Sequence, residues 1–354
     1  GGGTLPTAQY TFVDSQTFIS ADALQQGDGG QVIVWADNTT GFFGNISATG
    51  GVDGGNGGFV EVSGKDNLRF DGAVNLSATN GVLGTLLLDP ENILIVDDPT
   101  LAIHDSEIQE SGIPGDATAD IDGDGVPDET FTISRTALEG LTGNIILEAT
   151  NDITIAPGLS LTFSNDGSAG SIAFYADKDG VDGGAFSMDT TQSITTSGRN
   201  LEIYGSSITT GAIDTSITFS GNPSGGSVQL LSEGLVLVQG TIQTHGGDLT
   251  INGASIDTKD INTANHCDCL EDEGGMVTLI ASENDVLVST IQSGYLGINI
   301  QAARYFRATG TFEPSIAQLP SPFSSVSLDE SEELITFFRN QGFSENEINN
   351  LISQ

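Results

Sequence analysis

Short runs of alternating apolar and polar residues restart along the chain after a glycine or a polar turn. They are QVIVWA (31–36), FVEVSG (59–64), TLLLDP (85–90), NIILEA (144–149), SIAFYA (171–176), NLEIYG (200–205), SVQLLS (227–232), DLTING (248–253), MVTLIA (276–281) and LGINIQ (296–301). Their starts lie roughly 21 to 30 residues apart, with one gap of about 60 that has to hold an insertion. Further short strands follow in most intervals, such as NLRF and AVNL after FVEVSG, or DITI and LSLTF after NIILEA. Alternation with period two turns one apolar face inward, and a single coil cannot bury that face until another stacks on it. Three short strands per period predict an all-β fold, a right-handed parallel β-helix (β-solenoid) of about ten coils and roughly 50 Å in length. A β-sandwich or propeller also uses short strands, but would not require a major strand restarting in every coil.

Two stretches break the period. Residues 97–140 carry charge, Gly, Pro and Asp and read as an excursion that rejoins the rod near Gly143. Residues 313–326, EPSIAQLPSPFSSV, read as a Pro/Ser linker. Beyond it, 327–354 becomes helical in pattern. Asp329 or Ser331 caps a helix with Leu334, Ile335 and Phe338 on one face and Gly342 at its end; Ser344 and Glu347 form a capping box for a second helix carrying Ile348, Leu351 and Ile352. The expected organisation is therefore a β-helix over 1–312, a linker and a two-helix tail. The apolar faces of that tail require a surface, either the open end of the rod or another subunit.

Composition narrows the function. Lys and Arg number 9 against 48 Asp and Glu, a formal net charge of −39, yet only 16% of residues are charged and 37% are apolar. Disordered acidic chains are poorer in apolar residues and denser in charge. Nucleic acid is excluded as a partner, since binding phosphate rests on Lys and Arg; an anionic membrane surface is disfavoured for the same reason. Glycine, at 47 residues, is about twice its usual share and supplies tight turns. No window reads as a membrane span, and the opening GGGTLPTAQY lacks the features of a signal peptide, so the chain is expected to be processed or part of a longer precursor.

The segments VIVWADNTTGFFGNISATGG (32–51), NGGFVEVSGKDNLRFDGAVNLSA (56–78) and GTLLLDPENILI (84–95) resemble filamentous haemagglutinin-type exoproteins, most of all the large cyanobacterial ones. NIILEATNDITI (144–155), SSITTGAIDTS (206–216) and YFRATGTF (305–312) extend the resemblance over about 1–312. It implies a right-handed β-helix exported by two-partner secretion through an outer-membrane pore, then displayed on the cell surface or released as an adhesin or structural fibre. The chain departs from that family in lacking the amino-terminal secretion domain and in being short.

The sharpest chemical motif is DIDGDGVPDE, 120–129. Asp120, Asp122 and Asp124 alternate so that their carboxylates can converge on one calcium ion, Gly125 permits the turn, Val126 offers its carbonyl and Asp128 stands at the ninth position. The twelfth position, where a full EF-hand places a bidentate Glu, is Phe131. The bland alternative is an acidic solvated loop. His266, Cys267 and Cys269 form HCDC in another acidic loop. They read as a disulfide, local or to a neighbouring chain, as an ordinary loop, or as part of a soft-metal site that lacks a fourth ligand. Catalysis is expected to be absent. Outward acids such as Asp66, Asp71, Glu148 and Asp152 are common, but no Lys/Arg cluster accompanies them, and His104, His245 and His266 stand apart from any nucleophile motif. Sequons at Asn38, Asn45 and Asn75 are read as chance, with inward Asn ladders at coil corners, and Trp35 as core.

The expectation is thus a secreted, calcium-stabilised, non-catalytic structural or adhesive rod that self-associates into filaments. A monomeric adhesin for cell-surface or matrix glycans is the alternative, and a polysaccharide-active β-helix enzyme the third reading.

Overall fold

The computed structural model describes residues 7–65, 67–97, 130–164, 170–181, 183–217, 225–264, 274–294, 297–310 and 312–313. All ten alternating runs become strands of a single parallel sheet, in chain order. These are Gln31–Ala36, Phe59–Gly64, Thr85–Asp89, Asn144–Glu148, Ile172–Tyr175, Leu201–Gly205, Val228–Ser232, Leu249–Gly253, Val277–Ala281 and Ile298–Ala302. A twelve-stranded parallel sheet forms a second face. The third face holds a three-stranded and a seven-stranded sheet. The chain is a β-solenoid, as its periodicity predicts, and the tail expected over 327–354 lies outside the described residues. Among the described residues no helix is long and apolar enough to cross a membrane.

Register explains the core. On the ten-stranded face, Val34, Val62, Leu88, Leu147, Phe174, Ile203, Leu230, Ile251, Leu279 and Ile300 fall opposite one another from rung to rung. On the third face Leu161, Ile194, Ile213, Ile242, Ile261 and Ile291 do the same. Each such side chain, fully buried, contributes about 1.5–3 kcal/mol. Because a slip of one residue would turn a whole column outward, the columns lock the register.

Backbone closeness at the corners demands glycine. Gly55 has φ +133°, and a Cβ there would lie 1.9 Å from the Gly27 carbonyl oxygen of the neighbouring coil. Asn45 and Asn75, expected to turn inward, are exposed, and the inside of one corner is lined by hydroxyls instead. Thr196, Thr215, Thr244, Thr263 and Ser293 are buried two residues after the isoleucine column. Thr196 donates to the Arg199 carbonyl at 2.6 Å, Thr244 to Gly247 at 2.5 Å and Thr263 to Gly275 at 2.6 Å. A threonine buries its methyl and satisfies its single donor locally, whereas a carboxamide would carry more polar sites than that dry corner can serve. Asn56, Asn144, Asn200 and Asp248 instead lie nearer the surface and accept the N–H of Val82, Ser171, Ser227 and Met276 in the next coil, at 2.8–3.0 Å.

The excursion is shorter than its sequence suggests. It ends at Thr130, not near Gly143, because Thr130–Ser134 is a strand of the twelve-stranded sheet. It sits out of chain order, between Asn67–Phe70 and Asn92–Val96. A helix, α1 (Arg135–Glu139), follows, with Ser134 Oγ accepting the Ala137 N–H at 3.1 Å. It occupies the third face between Ala73–Asn75 and Leu161–Thr162. The Thr142 hydroxyl donates to the Val74 carbonyl on one side, and Glu139 accepts the Thr162 N–H on the other. Phe131, Ile133, Leu138 and Leu141 are buried, which is why this charged-looking stretch belongs to the rod.

Candidate functional site

The outer face of the ten-stranded sheet carries one residue per rung in a second column: Trp35, Ser63, Asp89, then Glu148, Tyr175 and Tyr204. Leu147 pairs with Leu88, so Glu148 falls opposite Asp89. Trp35 is therefore not core. Val34 and Ala36 take the inward positions, and the indole points outward with Nε1 3.4 Å from Asp37 Oδ1. Glu61 and Glu202 lie two residues before Ser63 and Tyr204 and share this outer face, so four carboxyls and three aromatic rings occupy a strip about six rungs long, roughly 24 Å.

Electrostatics along the strip are uneven. Asp89 is half-buried, and that burial, together with Glu148 and Glu61, raises its pKa to about 6; Lys178 pulls in the opposite direction. Lys178 Nζ lies 2.7 Å from Glu148 Oε2 and 5.3 Å from the Tyr175 ring centre. The turn after Ile172–Tyr175 delivers it there. Asp177 adopts a left-handed φ of 55°, its carboxylate accepts the Gly183 N–H, and the Lys178 N–H donates to the Ala149 carbonyl. Burial and the neighbouring Glu202 carboxylate, to which Tyr175 is hydrogen-bonded, push the Tyr175 phenol up to about 12. Tyr204 is also raised, by burial and by Glu233 and Asp177.

Asp89, with its raised pKa, thus stands beside the Glu148 carboxylate that Lys178 holds. The tyrosines add flat apolar area with a polar rim. Among the described residues no group of three or more His, Cys, Asp or Glu is placed to hold a metal ion.

Of the acids singled out in the sequence, Glu148 belongs to this strip. Asp71 follows Asn67–Phe70 and Asp152 precedes Ile153–Ile155, both exposed and on the neighbouring sheet. Asp66 lies outside the described residues, as do His104 and the calcium positions Asp120, Asp122, Asp124, Val126 and Asp128. Phe131, the twelfth position of that loop, is fully buried in its strand and turns its side chain to the core. His266, Cys267 and Cys269 likewise lie outside the described residues. Asp89, Tyr175 and Tyr204 do not stand out in the sequence, because each is an ordinary outward position in its own run. Only the register aligns them.

No protein-family model and no curated protein matches the chain.

Proposed function

We propose that this chain is a non-catalytic structural or adhesive element of the cell exterior, a stiff solenoid of the filamentous haemagglutinin-like exoprotein class that its sequence resembles. The observation that carries the reading is the continuity of the ladders: parallel strands and in-register core columns run from Gln31 to Ala302. A rod of this kind resists extension and proteolysis, because opening one coil exposes the core of both neighbours. The acidic surface keeps it soluble and open to cation-bridged contacts. In this reading calcium binds Asp120, Asp122, Asp124, Val126 and Asp128 and orders the excursion, the precursor leaves through an outer-membrane pore, and rods associate end to end. Such contacts do not close, so they build filaments.

Electron microscopy of the native secreted material, with and without a calcium chelator, tests this. Filaments with a repeat of one or a few rod lengths are expected, and isolated short rods in both conditions would sink the filament.

The outer strip supports a second reading, an adhesin that binds a glycan along Asp89, Glu148, Tyr175 and Tyr204, with rings for sugar faces and carboxylates for hydroxyls. Saturable binding of a monomer to one glycan class, lost in Tyr175→Ala, would favour it. Release of oligosaccharides from a polysaccharide would overturn the non-catalytic reading.

A further inference from the structure

At the C-terminal end of the rod the three faces finish together, on Ile298–Ala302, Phe306–Ala308 and Phe312–Glu313. Among the described residues no strand pairs with their far edges. Val277 donates its N–H to the Gly297 carbonyl, so the alternation of a parallel ladder turns the N–H groups of Ile298, Ile300 and Ala302 toward the open side. One rung down, Val277, Leu279, Ala281, Val286 and Val288 are buried, whereas their partners Ile298, Ile300, Ala302, Phe306 and Ala308 are only partly covered. Among the described residues the ladder thus stops at an apolar section whose outward-turned donors have no strand beside them, which is a template for another strand.

Three features of the chain identify its cover. Glu313 stands on this last rung, so residues 314–354 depart from this end. The 13 residues of 314–326 span up to about 40 Å when extended, several times the thickness of packed sheets, so the segment beyond them can fold back. Charge is complementary as well. Arg307, one of the nine Lys and Arg in the chain, is exposed on the last coil, where its neighbour Arg304 is held by the Asp285 carboxylate at 3.1 Å, and the sequence after the linker begins with Asp329, Glu330, Glu332 and Glu333.

We propose that residues 327–354 dock on this end as a cap in cis, laying the apolar positions Leu334, Ile335 and Phe338 over the cut core while their acidic flank meets Arg307. A tethered segment is present at an effective concentration of millimolar order, above that of a second rod in dilute solution. The cap shields the core and bars strand addition to Ile298–Ala302. Docking itself does not depend on the extracellular-fibre reading; only its consequence, that end-to-end growth starts where the tail is displaced from this end, rests on that reading.

Hydrogen exchange on the full chain tests this, with residues 277–288 as the internal folding control. Wild type is compared with the Leu334→Asp/Phe338→Asp double variant and with Arg307→Glu, and each is also sized by light scattering. Residues 297–310 should exchange at least about tenfold faster in both variants while 277–288 stays unchanged. Equal exchange of 297–310 in wild type and variants would overturn the cap, whatever the size of the particles; if wild type is then multimeric, a second copy covers the end. Faster exchange in variants that remain single rods would uphold the cap and refute end-to-end filament growth.

Discussion

Replacing Asp89 by Asn should make the protein more stable at neutral pH and leave it unchanged in acid. Asp89 lies between Glu61 and Glu148 on the outer sheet face, with Lys178 as the cation that opposes them, and its pKa is raised to about 6 from an ordinary 3.8. The folded state therefore holds this proton more tightly than the unfolded one, so stability contributed by the protonated form is complete below about pH 4. It is lost as pH rises to 6, and the ionised group then burdens the fold at every higher pH. A shift of about two units is worth at most about 3 kcal/mol; solvent screening of a half-buried group reduces that to about 1 kcal/mol. In a chain of this size the gain is about 2 °C in Tm. Thermal melts followed by far-UV circular dichroism from pH 4 to pH 8 should superimpose for wild type and Asp89→Asn at the acid end, diverge as pH rises from about 4 to 6 and stay apart above it. Glu148→Gln should shrink the same divergence, since it removes one of the two anions that raise Asp89. Curves that stay parallel across the range, or an Asn variant that melts lower at pH 7.5, would refute the reasoning.

Arg199 is buried and spans three coils, donating to the carbonyls of Gly143 at 2.6 Å and Gly170 at 3.0 Å beside the Phe163 ring. Arg199→Met strands those carbonyls and should cost about 2–4 kcal/mol, read as a lower denaturant midpoint. Phe131→Ala should cost about 3–5 kcal/mol and speed hydrogen exchange in Asn92–Val96, its partner strand, before Val277–Ala281 is affected. Asp122→Asn with Asp124→Asn should abolish any calcium-dependent protection of the excursion from proteolysis, and equal protease resistance of wild type with calcium and with chelator would exclude that role for the ion.

Much of this architecture follows from side-chain pattern alone. FVEVSG and TLLLDP state by their alternation which residues face inward, and Val60, Val62, Leu86 and Leu88 are all fully buried. The Ile-x-Thr runs at 194–196, 213–215, 242–244 and 261–263 also carry their structure locally. The isoleucine fills the third face, and the threonine two residues on closes the corner onto a nearby carbonyl. Trp35 shows where residue type misleads. Its size suggests core, but alternation within its own strand assigns it to the face opposite Val34 and Ala36.

What pattern does not contain is which rung a strand joins. TFTIS at 130–134 reads as part of a polar excursion because its flanks are acidic, yet it enters the ladder between two strands that precede it in the chain. A parallel neighbour is always distant in sequence, so the choice is made by which gap in the stack Phe131 and Ile133 can fill. The strip of Asp89, Glu148, Tyr175 and Tyr204 has the same origin. The amino-acid sequence determined that the chain would coil, where each coil begins and which side chains turn inward, since these depend on period-two alternation and on glycines at tight corners. Tertiary stacking alone decided which coils are neighbours, and with that which outward residues meet, because electrostatic shifts such as that of Asp89 arise only when separate rungs are brought to one strand spacing.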